Sequence, residues 1–485
     1  MTADRGPVLV WMRGSLRVRD NALLAQAAQA GGDVVPFLCG SDGWSGTGDT
    51  PRRRMLRASI TALNESLRAG GSALFMLGED PLREIPRAAS ALGAKKLFVA
   101  RSADAHRRRD DRRLTRALDD IGCAVCEIDD ATVFGGDPLR TSSGSPYLVY
   151  TPYRNAWLSR IQEAIPPAPP VISPLPRMPS LRACETLEGY RSSVDGGEPL
   201  ALRMLGELTR NGLHAYHLKR DTPGADATSR LSPHIATGAI SVRTVLSAVR
   251  RARRAPAARG GDGAGVFINE LIWREFFRQI MEHSPRVAEE PYREEFSAFP
   301  WHSGKRTFPA WCGGNTGYPI VDAGMRQLAA EGWMHNRVRM IVASFLTKDI
   351  HVDPRRGEAY FFDLLADADR ASNNGNWQWV AGTGTDASPY FRIFNPVLQG
   401  KKFDPQGTYV RTYVPELARI PDAFIHAPWE MGPALEKGAS YRPGKDYPRP
   451  IVNHAEERET ALRMFRAARG GRPAGRKSSS SSARE

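Results

Sequence analysis

Cysteine is scarce in this 485-residue chain, with five residues at Cys39, Cys123, Cys126, Cys184 and Cys312. The set is scattered and odd in number, which suits a reducing compartment better than a disulfide framework. Cys123 and Cys126 form a CxxC pair in GCAVCEI, which reads as a buried strand; the second pair that a zinc ribbon needs is missing. Beyond Cys184 there is only Cys312, too few ligands for an iron–sulfur cluster in the C-terminal half. No apolar run approaches the roughly 18 residues of a membrane helix, so no membrane partner is expected. The N-terminus has no long apolar core, which points to a cytoplasmic protein. Internal repeats are absent. No GxGxxG follows the first strand-like run, where WMRGSLRVRD stands instead, so a dinucleotide pyrophosphate on that turn is not indicated.

What is present is ordinary globular composition: 41% hydrophobic, 8% aromatic and 25% charged residues. This excludes a mainly disordered or collagenous chain. Sixty-seven Lys and Arg against 53 Asp and Glu leave a net charge of +14, which favours an anionic partner such as nucleic acid. Strand-like runs at 7–13, 33–39, 72–77, 96–101 and 123–128 alternate with helical patterns at 21–30, 52–69, 82–92 and 108–120. The alternation predicts an α/β domain with a doubly wound parallel sheet over 1–132. An interdomain linker over 133–198 follows, with seven prolines in the fourteen residues from Pro166 to Pro179. Residues 199–469 are mostly helical in pattern, and 470–485 reads as a disordered Gly/Ser/Arg tail.

Three stretches concentrate polar groups on apolar helices. In VFINELIWREFFRQIMEH (266–283), Glu270, Trp273, Arg274 and Phe277 share one face. In GWMHNRVRMIVASFLTKDI (332–350), His335, Asn336, Arg337 and Arg339 interrupt an apolar helix. In 366–396, Asp367 and Asp369 precede Asn373, Asn374, Trp377 and Trp379. Six of the ten tryptophans fall between residues 273 and 379, and aromatics beside Arg and Asn serve as core, as base-stacking platforms or as redox groups.

These blocks, with YLVYTPYRNAW (147–157) and TSRLSPHIATGAIS (228–241), resemble the photolyase/cryptochrome flavoprotein family from residue 8 to about 430. The resemblance implies a large all-helical C-terminal domain that binds FAD and light-driven repair of pyrimidine dimers in DNA. Thr228, Ser229, Arg230, Leu231 and Ser232 match the family's phosphate-binding segment. Tyr216, Arg274, Asn336, Arg339, Asp367, Ala368 and Asp369 match further FAD positions. Asn373 matches the residue beside flavin N5, where an amide favours the fully reduced anionic flavin. Glu270, Trp273, Asn336, Met340 and Trp379 match the cyclobutane-dimer pocket; Arg220, Arg337 and Gln399 match positions that meet the DNA. A flipped-out dimer is implied, since a lesion inside a duplex cannot reach a buried flavin. One histidine, His335, stands where (6–4) photolyases carry a pair, so the class I cyclobutane-dimer photolyases are the better match.

Two departures stand out. In the family's three-tryptophan relay, Trp377 matches the flavin-proximal position and Trp301 the surface one, but the middle falls on Pro354, which cannot be oxidised. Slow photoreduction is expected, unless another aromatic such as Tyr360 or Trp379 replaces the relay. The folate-antenna pattern wants Asn-Glu and Cys-Lys pairs where this chain has His106-Arg107 and Val287-Ala288. A second antenna chromophore of another type, or none, stays open. The protein is expected to act as a monomer. A cryptochrome-like light sensor, a (6–4) photolyase and a flavoprotein that has lost repair are the alternatives.

Overall fold

The computed structural model describes residues 6–45, 48–136, 138–163, 196–254, 262–387, 389 and 392–470. The Pro-rich stretch 166–179 and residues 471–485 of the expected tail lie outside the described residues. The chain packs as two compact units, one drawn from Met1–Ala288, Gln327–Arg337 and Glu358–Gly375, the other from Glu289–Arg326, Val338–Gly357 and Asn376–Glu485.

In the first unit five strands form one sheet: β1 (Val8–Trp11), β2 (Val34–Cys39), β3 (Phe75–Leu77), β4 (Lys96–Ala100) and β5 (Ala124–Ile128). The order is β3-β2-β1-β4-β5, and every pairing is parallel. Crossover helices α1 (Ala22–Ala30) and α2 (Pro51–Ala69) cover one face, where Val8, Val10, Leu23, Leu24, Ile60 and Leu63 pack together. Helices α3 (Pro81–Leu92) and α4 (Ala105–Asp119) cover the other, over Leu9, Trp11, Phe37, Ile85 and Leu114. Both faces of β1 are buried, hence its unbroken apolar run. The expected doubly wound parallel sheet is present. One correction concerns β5: Cys123 is buried just before it, but Cys126 is only half-buried and the strand is a partly exposed edge.

The helical region follows α5 (Tyr150–Glu163) and runs through α6 (Gly197–Glu207), α7 (Tyr216–Lys219), α8 (Ser232–Ala236), α9 (Val242–Arg254), α10 (Gly263–His283) and α11 (Thr307–Cys312). It continues through α12 (Pro319–Glu331), α13 (Asn336–Ser344), α14 (Pro354–Leu364), α15 (Arg370–Ala381) and α16 (Pro396–Phe403). It ends with α17 (Thr408–Tyr413), α18 (Pro433–Gly438) and α19 (His454–Ala468).

Caps explain where the pattern misjudged boundaries. Asp104 accepts from the His106 N–H, so α4 starts at Ala105 rather than at 108. Asp262 accepts from the Gly265 N–H and starts α10 three residues before 266. The continuous helix expected over 332–350 is broken. Gly332 ends α12 at φ +64°, with Pro51 against it, and His335 precedes α13, its Nδ1 accepting from the Arg337 N–H. Past Ser344 the helix widens into a π-turn over Phe345–Asp349. No helix among the described residues is long and apolar enough to cross a membrane.

Candidate functional site

On α10, the buried stripe Ile268, Leu271, Ile272 and Phe276 locks the helix into the first unit. The expected polar face then emerges on one side. Glu270 accepts from Arg220 Nη1 at 2.5 Å, across fifty residues of sequence. Burial alone would lower the Arg220 affinity for its proton; the Glu270 charge outweighs it and raises it. The next residue, Asp221, accepts from Arg337 Nη2 at 3.0 Å. The two arginines expected to meet DNA are thus each paired with a carboxylate, and these pairs are contiguous through Arg220 and Asp221.

Trp273, one turn further along α10, stacks on Tyr150 of α5 with centroids 3.5 Å apart and planes within 4°. Tyr216 packs edge-on against Phe267 at 5.4 Å, and burial together with the Glu270 charge pushes its hydroxyl up to about 12. Glu270, Trp273, Arg220 and Tyr216 are therefore brought together.

The Thr228–Ser232 segment forms a turn rather than a helix. Arg230 sits at φ +47°, the left-handed region that a non-glycine residue enters only at a cost, and Leu231 follows in the right-handed helical region. That succession has the dihedral pattern of an anion-binding concavity, in which the Leu231 N–H donates to the Ser229 hydroxyl at 3.3 Å. Arg230 is held by Asp226 at 3.3 Å and Glu331 at 3.2 Å, with its guanidinium over Trp333. Leu231 is buried, which anchors the turn. Ser232 donates to Asp367 at 2.6 Å, joining this turn to the 367–369 loop. Burial pushes the Asp369 carboxyl up, but Arg274 and Ser372 outweigh it and hold it below the ordinary carboxylate range. Arg274 itself donates to the Ala131 carbonyl at 2.6 Å. Asn373 donates through Nδ2 to the Glu358 carbonyl at 2.8 Å, which fixes the amide's orientation. Asn336 is exposed at the start of α13.

This donor set fits FAD. Thr228, Ser229 and Ser232 bring three hydroxyls to this turn, a donor type that suits a pyrophosphate once Ser229 and Ser232 exchange their present partners, the Leu231 N–H and Asp367, and Asp367 and Asp369 are acceptors for N–H or hydroxyl donors.

In the second unit, Arg339 and Met340 are half-buried on α13, as are Trp379 on α15 and Gln399 on α16. Trp377 is buried. Trp301 packs on Phe299 with centroids 4.2 Å apart. Pro354 is the first residue of α14 and is buried.

Two features escaped the sequence. Trp311 lies against Trp377, with centroids 6.2 Å apart. Its sequence neighbours, proline, alanine and cysteine, gave no sign of it. A cavity of about 450 Å³ also opens where the carboxyl ends of β1 and β4 diverge, the switch point of the sheet. Its polar lining includes Arg13, Asp42, Arg52, Arg101, Arg107 and Ala368's neighbour Asp369, with Ala368 itself in the wall. Burial and then the Arg13 charge pull Arg107 below the ordinary arginine range. The signal was available: polar residues directly after each strand of a doubly wound sheet.

Comparison with known proteins agrees with these features. A family model described as the FAD binding domain of DNA photolyase matches residues 267–467, and one described as DNA photolyase matches residues 8–171. The deoxyribodipyrimidine photo-lyase of Agrobacterium fabrum is 39% identical over 478 residues, covering 96% of this chain and 99% of its own length. A bacterial class III photolyase structure from Agrobacterium tumefaciens superposes with a TM-score of 0.87 at 38% identity, covering 97% of this chain and 99% of its own. A Synechocystis cryptochrome structure gives 0.85 at 31%, covering 94% and 99%. The fold and site define a flavin-binding protein of α/β-plus-helical architecture; the chain belongs to the DNA photolyase family. A class III relative lies about as near as the Agrobacterium fabrum enzyme, so the class I expectation rests on the pocket residues alone.

Proposed function

We propose that this chain is a deoxyribodipyrimidine photo-lyase, which uses blue light to split cyclobutane pyrimidine dimers in DNA. The observation that carries the reading is the cluster of Glu270, Arg220, Trp273 and Tyr150 on one face of α10, beside the Asp221–Arg337 pair. It offers a carboxylate for a base N–H, a flat aromatic wall and cations for flanking phosphates, the chemistry a flipped-out dimer needs. Bound FAD in its fully reduced form supplies, on illumination, the electron that opens the cyclobutane ring and takes it back afterwards, so there is no net redox change.

The chain's own residues do the rest. Arg220 and Arg337 exchange their carboxylate partners for phosphate oxygens. Glu270 accepts a hydrogen bond from the flipped base and stabilises the charge that develops on it. Trp273, held flat by Tyr150, supplies contact surface. Thr228–Ser232, Arg274, Asn336, Asp367, Asp369 and Asn373 would hold the flavin, and Arg339 is assigned to it on the resemblance alone. Met340, Trp379 and Gln399 are assigned to the lesion or the DNA on the resemblance alone. The arginine-lined cavity at the sheet's switch point is our seat for a second, antenna chromophore, and its charge suits an anionic group. We further propose a division at 1–132, 133–198 and 199–469, and a cytoplasmic monomer.

The test is to illuminate chemically reduced holoprotein with dimer-containing oligonucleotide and follow dimer loss. No loss of cyclobutane dimers, or loss of (6–4) products instead, would sink the reading. The cryptochrome reading is favoured by the likeness to the Synechocystis structure, and it predicts light-driven flavin changes without dimer loss.

A further inference from the structure

The relay position that falls on Pro354 sits at the first turn of α14, and the next turn of that helix carries Gly357. Gly357 lacks a side chain for a steric reason. A Cβ there would lie 2.2 Å from Cη2 of Trp377, so the indole ring edge rests on the α14 backbone. At these two positions that helix has a proline and a glycine, neither of which gives up an electron. Trp377 has another aromatic neighbour. Trp311, on α11, meets it with centroids 6.2 Å apart and planes inclined by 69°, an edge-to-face contact. Trp311 is fully buried, its Nε1–H donates to the Val342 carbonyl at 3.0 Å, and Phe308 stacks with it at 5.8 Å. Its ring is thus held by a hydrogen bond and two ring contacts.

We infer that Trp311 is the onward electron donor to Trp377, taking the place that Pro354 leaves vacant. The inference rests on the reading of Trp377 as the tryptophan beside the flavin. Indole is among the most easily oxidised of side chains, and two indoles in van der Waals contact exchange an electron without an intermediate carrier. On illumination of the oxidised protein, one electron leaves Trp377 for the photoexcited flavin. One electron then leaves Trp311 for the Trp377 radical cation, which returns to neutral indole. The hole rests on Trp311. No atom moves: the Val342 carbonyl accepts a hydrogen bond but is no base, so the Trp311 radical cation keeps its Nε1 proton. Because Trp311 is buried, one electron from an added thiol reductant reaches it by tunnelling through the protein and restores it; the thiol becomes a thiyl radical and its proton passes to solvent. The hole ends one ring further from the flavin, and charge recombination slows. Photoreduction is then carried by Trp311 despite Pro354, whereas a relay without an onward donor recombines. Trp301, the tryptophan at the family's surface position, packs instead against Phe299 and Phe465.

The experiment is time-resolved, polarised absorption of the oxidised holoprotein with dithiothreitol present, for the native chain, Trp311→Phe, Trp377→Phe and the double variant Trp311→Phe/Pro354→Trp. In the native protein a long-lived tryptophan radical is expected, with its polarisation rotating as the hole passes between rings inclined by 69°. A long-lived radical of fixed polarisation in the native protein overturns the proposal without any substitution. Trp311→Phe is expected to lose the long-lived radical and photoreduce slowly, and the double variant to recover both. Native behaviour in Trp311→Phe overturns the proposal. Native photoreduction in Trp377→Phe would instead show that Trp377 is not the flavin's donor, so failure of the underlying reading is distinguishable. A second readout needs no flavin. The two indoles should give an exciton couplet in the circular dichroism of the FAD-free protein, lost in Trp311→Phe and in Trp377→Phe alike. A couplet that survives in Trp311→Phe overturns the contact on which the proposal stands.

Discussion

Replacing Glu270 by glutamine separates the two jobs the site is assigned. In the free protein its carboxylate is paired with Arg220 at 2.5 Å, with side-chain exposures of 36% and 20%. A pair this wet contributes about 1 kcal/mol or less to stability, so Glu270→Gln should leave the thermal midpoint nearly unchanged. Binding to intact duplex should change in kind. Arg220 no longer has to give up a carboxylate to meet a phosphate, so the ion pair need not be broken on binding, while the number of phosphates contacted, and with it the salt slope, stays the same. Affinity for undamaged DNA at low salt should therefore rise. Binding to the lesion should fall, because a hydrogen bond to a charged acceptor contributes about 1.5–3 kcal/mol and a neutral amide retains only part of it. At the lower end, as suits a partly exposed carboxylate, preference for dimer-containing over intact duplex drops about tenfold. The assay is a pair of fluorescence-anisotropy titrations, lesion-bearing and intact, over a salt series, with dimer loss measured at saturating protein. Unchanged preference together with an unchanged affinity for intact duplex would refute both the lesion contact and the competition for Arg220.

Arg337→Ala should weaken binding to all duplexes alike and flatten the salt slope by about 0.9, read from the same titrations. Asp130→Asn should destabilise the fold by about 3–5 kcal/mol, measured by denaturant unfolding, because it leaves two buried guanidiniums underpaired. Arg17 and Arg243 meet that carboxylate at 2.7 and 2.9 Å. Glu275 gives a pH signature: burial pushes its carboxyl up to about 7, although Trp157 and the Val133 N–H hydrogen-bond to it. A folded value above the unfolded one means its contribution is full at acid pH and is lost as pH rises through about 7. Glu275→Gln should therefore shrink the difference in melting temperature between about pH 5 and about pH 8.

The parallel sheet was legible because its signal is local: each strand is a short apolar run, and each helix between strands carries one apolar stripe. Helix starts were missed by three residues where Asp104 and Asp262 cap, because a cap is one side chain and leaves no period. The break at Gly332 hid for a different reason. Apolar residues continue on both sides, and only the positive φ and the pressure of Pro51, some 280 residues earlier, show that no helix passes. The α10 cluster was half legible. Spacing put Glu270, Trp273 and Arg274 on one face, but nothing in a helical period says that Glu270 meets an arginine fifty residues upstream. Pairings across that distance are set by which elements pack, and packing is settled by the whole apolar pattern at once. The same holds for Arg13 with Asp111 and for Arg17 with Asp130, whose partners lie about a hundred residues away.

Local strain marks a turn that the proposed function assigns to the flavin. Arg230 occupies a left-handed conformation that its side chain does not favour, in the turn that carries the Thr228, Ser229 and Ser232 hydroxyls. A glycine there would relieve the backbone but remove the contacts to Asp226, Glu331 and Trp333 that hold the turn. The strain is thus tied to keeping a cation-anchored concavity open next to Asp367. The paired arginines follow the same logic at the other face. Arg220 and Arg337 each hold a carboxylate while the protein is free, and this keeps two cations ordered. Phosphates can then displace Glu270 and Asp221 with little reorganisation of the protein, and the Glu270 carboxylate so released is the group assigned to the flipped base. The proposed function thus couples binding of the backbone to engagement of the lesion through one ion pair.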